Sequence, residues 1–389
     1  MNISMNKIFS KKNILFVIKS IERGGGAERV LITITNELHK FEDLNITIMT
    51  FRTYENEYPT YLSRVNLKEG KVSSNFLLNF WKSLLRAKKI KNYCKENHID
   101  TVVCFMKESN IPGVLSKIFF NNQARIFLTV HNDPGKEFST MHRILARVLY
   151  KHADKIITVS KEAALFFTKN VMTIYNPISI RNNESEANEE ITDNFENELF
   201  IKNDIIISIG RLSHQKNQSL MLDVFAQVEK RNPRLRLVIL GGGDLRGALE
   251  EKIKKLKLTE KVFLLGVKQN VYKYLKKSKF FLFTSSFEGL GMVLLEAMSL
   301  GIPVVTNDCS SGPAEIVGGS VSHLPYDASF LKDKYGIRVP FNNTDEFVQA
   351  IEWFENDLES YKKYSDLSKD RARDFDISKI IKEWYQILR

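Results

Sequence analysis

Cysteine is scarce in this chain: only three occur among 389 residues, at positions 94, 104 and 309. They form no CxxC pair and no zinc spacing with histidine, so we expect a reduced, cytosolic protein without disulfides. No uncharged apolar stretch approaches the ~20 residues that span a bilayer, which predicts no transmembrane helix. The short apolar run from Ile14 to Ile18 leads into charged residues and not into a cleavage site, which predicts no signal peptide.

Negative charge is in deficit, because 57 Lys and Arg face 46 Asp and Glu, a formal net charge of +11. This balance favours anionic partners: nucleic acid, phosphorylated small molecules or an acidic membrane surface. With 43% hydrophobic and 26% charged residues, the composition excludes a disordered or collagen-like chain. The length predicts two or three domains with full-sized cores.

Short β-branched runs alternate with amphipathic segments in two successive series. The expected strands are Asn13 to Ile18, Asn45 to Thr50, Thr101 to Phe105, Arg125 to Val130, Lys155 to Val159, and then Asp204 to Ile209, Leu235 to Leu240, Lys261 to Leu265, Lys279 to Thr284 and Ile302 to Thr306. This alternation predicts two doubly wound parallel α/β domains. The acidic stretch from Arg181 to Glu198 separates them and lacks apolar periodicity, which predicts a linker or mobile insertion.

Glycines follow the first strand, at Gly24 to Gly26, and lead into a helical pattern. Backbone N–H groups at such a turn can bind an anion, with the helix dipole adding to the attraction. The alternative is a tight turn that needs glycine for its conformation. The spacing is not GxGxxG, so no dinucleotide site is expected there.

Two cations follow the first strand of the second series, in Gly210-Arg-Leu-Ser-His-Gln-Lys216. A guanidinium fork and an ammonium suit a diphosphate, although a solvated loop is the alternative. The next turn, Gly241-Gly-Gly-Asp-Leu-Arg-Gly247, falls one residue short of GxGxxG. A nicotinamide site is disfavoured because the expected acidic residue would fall near Glu260, ahead of the next strand and not at its end.

The most specific segment runs from Phe280 to Thr306. A strand is followed by Glu288 in a turn and by Glu296 in a helix that starts near Gly291. Carboxylates accept hydrogen bonds from sugar and ribose hydroxyls, and free N–H groups at the helix start bind anions. Alternatively, either glutamate alone is an ordinary turn or surface residue.

The segment EGLGMVLLEAMSLGIPVV resembles the signature of retaining glycosyltransferases of family four, with two glutamates separated by seven residues. The segments GRLSHQKN, GGAERV and GGGDLRGALE match that family in the same order. The resemblance implies the GT-B architecture, an α/β fold in which two Rossmann-like, doubly wound parallel-sheet domains face each other across a cleft. It implies an acceptor-binding domain over residues 1–180, a linker over 181–200, a nucleotide-sugar-binding domain over 201–370, and a helix over 371–389 that returns to the first domain.

The resemblance also implies roles for individual residues. Arg211 and Lys216 would neutralise the nucleotide diphosphate, Glu288 would hydrogen-bond the donor sugar, and Glu296 would bind the ribose. His131 would touch the donor sugar beside the reacting centre. Further residues that would contact the nucleotide sugar are Gly25, Gly26, Gly210, Val267, Gly291, Met292 and Val293. The loop that contains Val267 would recognise the base, with uracil as the expected one.

The implied reaction moves a hexose or N-acetylhexosamine from a UDP-sugar to a lipid-linked oligosaccharide or polysaccharide acceptor. The segment from Cys309 to Ile316 resembles bacterial members that extend lipid-linked or capsular glycans. No metal or other cofactor is implied, because the one DxD, Asp374 to Asp376, begins the last helical pattern, where carboxylates serve as caps. A nucleotide-sugar epimerase of the same fold and a non-catalytic partner protein stay open as alternatives.

One basic segment stands out, from Phe76 to Lys95. Its expected apolar stripe is bordered by lysines and arginine and comprises Leu77, Phe80, Trp81, Leu84 and Leu85. Such a helix can lie on an anionic leaflet, which predicts a protein peripheral to the inner face of the cell membrane. A core-packed helix with a solvated basic face is the alternative. Nucleic acid is not an expected partner, because no recognition motif accompanies the charge.

Overall fold

The structure is a computed structural model that describes residues 11–69 and 76–389. The chain divides into two compact units. Of the described residues, the first comprises 11–69, 76–159, 163–177 and 378–389, and the second comprises 160–162 and 178–377. Within the described residues, no helix is long and apolar enough to cross a membrane.

The first domain is built on a seven-stranded parallel sheet with the order β3-β2-β1-β4-β5-β6-β7. Its strands are β1 (Lys12–Ile18), β2 (Leu44–Thr50), β3 (Ser63–Asn66), β4 (Thr101–Phe105), β5 (Arg125–Val130), β6 (Lys155–Thr158) and β7 (Val171–Thr173). Its helices are α1 (Gly26–Leu38), α2 (Phe76–Glu96), α3 (Lys107–Phe120), α4 (Pro134–Glu137), α5 (Thr140–Leu149) and α6 (Lys161–Ala164). The first two residues of α6 belong to the second unit, which includes residues 160–162.

The central strands of this sheet are apolar runs because helices cover both faces. Every residue of β4 is buried, and β1 is fully buried from Ile14 onward. On α1, the buried residues Val30, Leu31, Ile34 and Leu38 recur at the three- and four-residue spacing of one helix face. The strand order reverses between β1 and β4, so the carboxyl ends of these two strands are where a ligand is expected in this fold.

The second domain repeats the design with the order β10-β9-β8-β11-β12-β14-β13, in which only the β13–β14 pair is antiparallel. Its strands are β8 (Asp204–Ile209), β9 (Leu235–Leu240), β10 (Val262–Gly266), β11 (Phe280–Phe283), β12 (Val304–Asn307), β13 (Leu331–Lys332) and β14 (Ile337–Val339). Its helices are α7 (Ile180–Ala187), α8 (Asn194–Lys202), α9 (Gln218–Val228), α10 (Arg246–Lys255), α11 (Tyr272–Lys276), α12 (Met292–Ser299), α13 (Pro313–Gly318), α14 (Thr344–Asn356) and α15 (Leu358–Ala372).

The two doubly wound α/β sheets confirm the fold class expected from the sequence. The ten expected strands are present within two residues of their observed bounds. Four short strands at or near the sheet edges, β3, β7, β13 and β14, were not expected. With four residues at most, they are too short to show a period in the sequence.

The expectation of a linker at 181–200 is wrong, because this stretch contains α7 and α8. Local capping explains both helices: Ser179 accepts a hydrogen bond from the Asn182 N–H, and Asp193 accepts one from the Glu196 N–H. The acidic side chains have partners as well, since Glu196 pairs with Lys268 at 2.5 Å. Caps and a charge pair therefore supplement the few apolar residues that these helices bury, Ala187, Leu199 and Phe200.

The last helix, α16 (Ile377–Leu388), belongs to the first domain from residue 378 onward. Its Trp384 is buried, with ring centroids 6.4 Å from Phe16 and 6.3 Å from Phe105. Arg125 fixes the end of the helix by donating to the Leu388 carbonyl at 2.8 Å. Residues 371–376 instead stay with the second domain, where Asp376 accepts a hydrogen bond from the Ile180 N–H at 3.3 Å.

Candidate active site

Two segments predicted to act together, the loop after β8 and the loop after β11, are joined by hydrogen bonds. Gln215 donates through its side chain to the Phe287 carbonyl at 2.9 Å, and its own carbonyl accepts from the Ser286 N–H at 2.7 Å. The Thr284 hydroxyl donates to the Lys216 carbonyl at 3.1 Å. These contacts place Lys216 against the loop that carries Glu288.

Lys216 and Glu288 form an ion pair in which the side chains are only 20% and 9% exposed. The Lys216 ammonium also lies 5.5 Å from the centre of the Phe283 ring. The Glu288 backbone is fixed by its N–H, which donates to the Ser310 carbonyl at 3.1 Å. A cation for phosphate and a carboxylate for hydroxyl groups thus occupy one point at the carboxyl edge of the sheet, and Glu288 is not an ordinary exposed turn residue.

The helix that follows, α12, begins beside this pair. Gly291 caps it in the left-handed region, with φ of 89°, a conformation that glycine adopts without strain. Met292 and Val293 form its first turn and are half-buried. Glu296 is buried, which contradicts the alternative of a surface helix residue.

The turn after β9 packs against the turn after β8. A Cβ on Gly241 (φ 144°) would lie 2.0 Å from the Gly210 carbonyl oxygen, and one on Gly243 (φ 154°) would lie 2.4 Å from the Leu212 carbonyl oxygen. Glycine is therefore required there for loop packing, and this explains the near-GxGxxG spacing without a dinucleotide. Glu260 is exposed and precedes β10, where it could not serve a ribose bound at the strand ends.

Arg211 and Val267 lie at the same edge and both are exposed. The Arg211 carbonyl accepts from Gln218, the first residue of α9, at 2.9 Å, which fixes the backbone and leaves the guanidinium at the surface. Val267 is 79% exposed, and its methyl group Cγ2 would lie 3.2 Å from a Cβ on Gly242. The second domain therefore gathers Gly210, Arg211, Lys216, Val267, Glu288, Gly291, Met292, Val293 and Glu296 at one edge of its sheet.

The remaining predicted residues belong to the first domain. Gly24 has a φ of 111°, Gly25 caps α1 in an extended conformation, and Gly26 is its first residue. A Cβ on Gly25 would lie 1.8 Å from a carboxylate oxygen of Glu28, so this position has no room for a side chain without movement. Burial raises the pKa of Glu28.

His131 follows β5 and is oriented by Thr129. The Thr129 hydroxyl donates to the Cys104 carbonyl at 3.0 Å and lies 2.8 Å from Nε2 of His131. Because a hydroxyl has one proton, Nε2 must carry the proton of the imidazole, and Nδ1 is left as an acceptor. Nδ1 is buried and has no hydrogen-bond partner among the described residues. Burial lowers the pKa of His131 to about 4, so the ring is neutral at pH 7 and can accept a hydrogen bond from a ligand hydroxyl.

Sequence reasoning did not identify a set of ionic contacts around residues 160–162. The Glu315 carboxylate accepts from the N–H groups of Lys161 and Glu162, each at 2.9 Å. The Glu162 carboxylate in turn accepts from the Ser311 N–H at 2.7 Å and lies 3.1 Å from Nε2 of His323. The sequence offered only the GPAE segment at a predicted helix start as a signal for these contacts. Local sequence patterns did not link that segment to one about 150 residues away.

The DxD carboxylates have protein partners: Asp374 pairs with Arg371 at 3.0 Å, and Asp376 with the Ile180 N–H. Among the described residues, no group of three or more His, Cys, Asp and Glu side chains is arranged to hold a metal ion.

The basic helix α2 buries a different stripe from the expected one. Its inward face comprises Ala87, Ile90 and Cys94, whereas Trp81 and Leu85 are 63% and 59% exposed. Phe80 is also exposed and Leu84 is half-buried, while the side chain of Leu77 lies outside the described part of the chain. The alternative of a core-packed apolar stripe is therefore wrong for Trp81 and Leu85.

Comparison with known proteins places these features in a family. Residues 24–181 match Glycosyltransferase Family 4, and residues 190–371 match Glycosyl transferases group 1. An uncharacterized glycosyltransferase of Methanocaldococcus jannaschii is 33% identical over 349 residues, which cover 80% of this chain and 84% of that protein. The N-acetylgalactosamine-N,N'-diacetylbacillosaminyl-diphospho-undecaprenol 4-alpha-N-acetylgalactosaminyltransferase of Campylobacter jejuni is 30% identical over 373 residues, covering 92% and 94% of the two chains.

Among solved structures, Anabaena HepE in complex with UDP and glucose superimposes with a TM-score of 0.78, covering 96% of this chain and 98% of that one at 19% identity. This likeness confirms the GT-B fold. Family models match both domains, and the identity to these relatives extends over most of their length. The chain therefore belongs to the glycosyltransferases and is a family-four-like transferase enzyme.

Proposed function

We propose that this glycosyltransferase moves a hexose or N-acetylhexosamine from a UDP-sugar to a lipid-linked oligosaccharide or polysaccharide, with retention of anomeric configuration and without a metal. The observation that carries the proposal is the partly buried Lys216–Glu288 pair, which precedes the start of α12. A nucleotide sugar presents phosphate oxygens and hydroxyl groups at adjacent positions, and this pair offers a partner for each.

In the proposed reaction the bond between the anomeric carbon and the phosphate oxygen breaks, and the acceptor hydroxyl oxygen bonds to that carbon on the same face. The hydroxyl proton passes to the departing phosphate. Arg211 and Lys216 stabilise the diphosphate as negative charge develops on it, a task that a divalent cation performs in other enzymes. Glu288 holds the sugar, and neutral His131 accepts a hydrogen bond from one of its hydroxyls through Nδ1.

Glu296 completes the donor site by accepting hydrogen bonds from the ribose, while the N–H groups of Gly291, Met292 and Val293 bind phosphate and sugar oxygens. Their position at the first turn of α12 supports this role, because the first N–H groups of a helix have no intrahelical acceptor. Gly25 and Gly26, at the first turn of α1, serve the phosphates in the same way.

Two comparisons support the choice of substrates. HepE, which shares the fold, was solved with UDP and glucose, and the Campylobacter relative is named for an undecaprenyl-diphosphate-linked acceptor. The acceptor side of the proposal also agrees with α2, which exposes Trp81 and Leu85 beside exposed Lys88 and Lys89. An aromatic and basic surface of this kind suits the anionic, cytoplasmic face of a membrane.

A thermal-shift screen against UDP, GDP, ADP, NAD and a panel of UDP-sugars tests the donor. A ligand at 100 times its dissociation constant adds about 2.7 kcal/mol to the free energy of unfolding, so the bound nucleotide raises the melting temperature by several degrees. We expect shifts with UDP and with one UDP-sugar; a shift with NAD alone would overturn the proposal. Conversion of the UDP-sugar in the absence of any acceptor would favour an epimerase.

Transfer is then assayed with that donor and polyprenyl-diphosphate-linked acceptors, with and without EDTA. The anomeric configuration of the product, measured by NMR, is expected to equal that of the donor, and EDTA is expected to leave the rate unchanged. Sedimentation with liposomes at low salt tests the membrane surface. The protein should pellet with anionic and not with neutral vesicles, and Trp81→Ser should reduce the bound fraction; equal pelleting with both vesicle types contradicts this part.

A further inference from the structure

The first domain contains a cavity of about 260 Å³ that the proposed donor site does not use. Its charged lining residues are Lys19, Arg52, Lys82, Arg86, Lys107 and Glu108, joined by uncharged side chains and His142. Lys19 follows β1 and Arg52 follows β2, so the cavity lies at the carboxyl edge of the sheet. Its volume is well above the ~10–15 Å³ that one water needs, and a group the size of a diphosphate can enter.

Five cations and one carboxylate line this space, and they come from four separate stretches of the chain. Carboxylates outside the cavity pair with at least two of the cations, Arg86 and Lys107. Arg86 donates to Glu69 with Nε at 2.9 Å, and Lys107 lies 3.6 Å from Glu137. Like charges gathered in one concave space repel each other and concentrate anions there.

Arg52 provides the most direct evidence for an anion site. Its backbone N–H donates to the Lys19 carbonyl at 3.0 Å, which fixes where the two side chains start. Nε of its guanidinium is buried and finds no hydrogen-bond acceptor among the residues that the structure describes. A buried charged donor without an acceptor costs free energy, and an anion in the cavity would remove that cost.

The helices that wall the cavity expose apolar side chains toward solvent. On α5, which contributes His142, the residues Met141, Ile144 and Val148 are 53%, 55% and 49% exposed. On α2, which contributes Lys82 and Arg86, Trp81 and Leu85 are exposed. A ligand that combines a compact anion with an apolar chain matches both features, whereas a free nucleotide matches only the cations.

We propose that this cavity binds the diphosphate of a polyprenyl-diphosphate carrier, with the apolar faces of α2 and α5 against its hydrocarbon chain or the surrounding lipid. The assignment rests on the proposed function, because it names the anionic part of the acceptor. Arg52, Lys19 and Lys82 hold the diphosphate, and the sugars attached to it extend away from the cavity.

The test measures the affinity of the full-length protein for geranylgeranyl diphosphate, inorganic diphosphate and UDP. The variants are Arg52→Gln and Lys82→Gln. The matched control is Lys95→Gln, which removes an exposed cation from the same helix without touching the cavity. We expect each cavity variant to weaken geranylgeranyl diphosphate binding at least tenfold, the control to change it less than twofold, and UDP binding to stay unchanged in all three.

Equal losses in control and cavity variants would show general surface attraction and overturn the proposal. A loss of UDP affinity would assign the cavity to the donor nucleotide, and equal affinity for inorganic and lipid diphosphate would remove the lipid from the assignment. Because the affinity for the lipid diphosphate is measured without a donor nucleotide, this result is independent of the UDP screen. Lys19→Gln provides a third cavity variant should melting curves show that Arg52→Gln is unfolded.

Discussion

The carboxyl edges of the two sheets collect charge in different ways. In the second domain, Arg211 and Lys216 lie within six residues of each other, and backbone and side-chain hydrogen bonds join their loop to that of Glu288. In the first domain, Lys19, Arg52 and Lys107 are far apart in sequence and only the fold assembles them. A site made of local motifs can be predicted from one sequence, and a site made of single residues from many strands cannot.

Glu288→Ala is expected to have the largest effect on the second-domain edge. Removing the carboxylate that holds the sugar should lower kcat by about 100-fold or more, the scale of losing one preorganised hydrogen-bonding group. The fold should be retained in circular dichroism. Unchanged turnover would remove Glu288 from the site.

Glu196→Ala is the matched control for this variant. Glu196 pairs with Lys268, and the exposures of the two side chains, 9% and 22%, are nearly those of Glu288 and Lys216. It should cost a similar amount of stability and change kcat by less than a few fold. Equal losses of activity in the two variants would mean that any broken ion pair in this domain impairs the enzyme.

Arg211→Gln is expected to weaken UDP binding about tenfold, equivalent to about 1.4 kcal/mol, because one charged partner of the diphosphate is lost. The exposed guanidinium makes little contribution to stability, so the melting temperature should not change. Arg234→Gln removes another exposed arginine of the same domain and should leave UDP affinity unchanged. Titration calorimetry measures both, and equal weakening would indicate a general effect of net charge.

The same contrast explains how much the sequence predicted. The two sheets and the expected strands follow from periodicity, and the positions of Lys216 after β8 and of Glu288 after β11 follow from motifs of a few residues. The ion pair between the two side chains is a finding of the structure. The helices α7 and α8 did not, because caps and ion pairs such as Glu196 with Lys268 leave no apolar period. The hydrogen bonds of the Glu315 and Glu162 carboxylates join segments about 150 residues apart, and no local sequence spacing predicts such a pairing.

Glycine-to-alanine substitutions at the two sheet edges should change the free energy of unfolding by different amounts. Gly241→Ala should lower the free energy of unfolding by about 3 kcal/mol, because φ is 144° and the new Cβ would meet the Gly210 carbonyl at 2.0 Å. Gly26→Ala in the first domain meets nothing within 4 Å and should be tolerated. Gly247→Ala lies in open space on α10 and should raise the free energy of unfolding by up to about 1 kcal/mol. Urea denaturation ranks the three, and a stable Gly241→Ala variant would contradict the tight loop packing.

Two histidines give the domains opposite responses to pH. His323 is held between carboxylates, with Asp308 at 3.2 Å and Glu162 at 3.1 Å, and these hydrogen bonds raise its pKa to about 10. The stability that it contributes is fully present below pH 6.5 and is lost as the pH rises toward 10. Burial lowers the pKa of His131 to about 4, so its contribution is present above pH 6.5 and is lost as the pH falls toward 4.

The smallest expected effect is measured by comparing the melting temperatures of the wild type, His323→Gln and His131→Gln between pH 4 and pH 10. The advantage of the wild type over His323→Gln should shrink as the pH rises from 7 to 10, by about 1 kcal/mol, because the side chain of His323 is 39% exposed and water screens its ion pairs. Its advantage over His131→Gln should shrink in the other direction, as the pH falls from 6.5 to 4. Parallel curves for His323→Gln would show that its contacts with Glu162 and Asp308 are not formed in solution, since only those carboxylates raise its pKa.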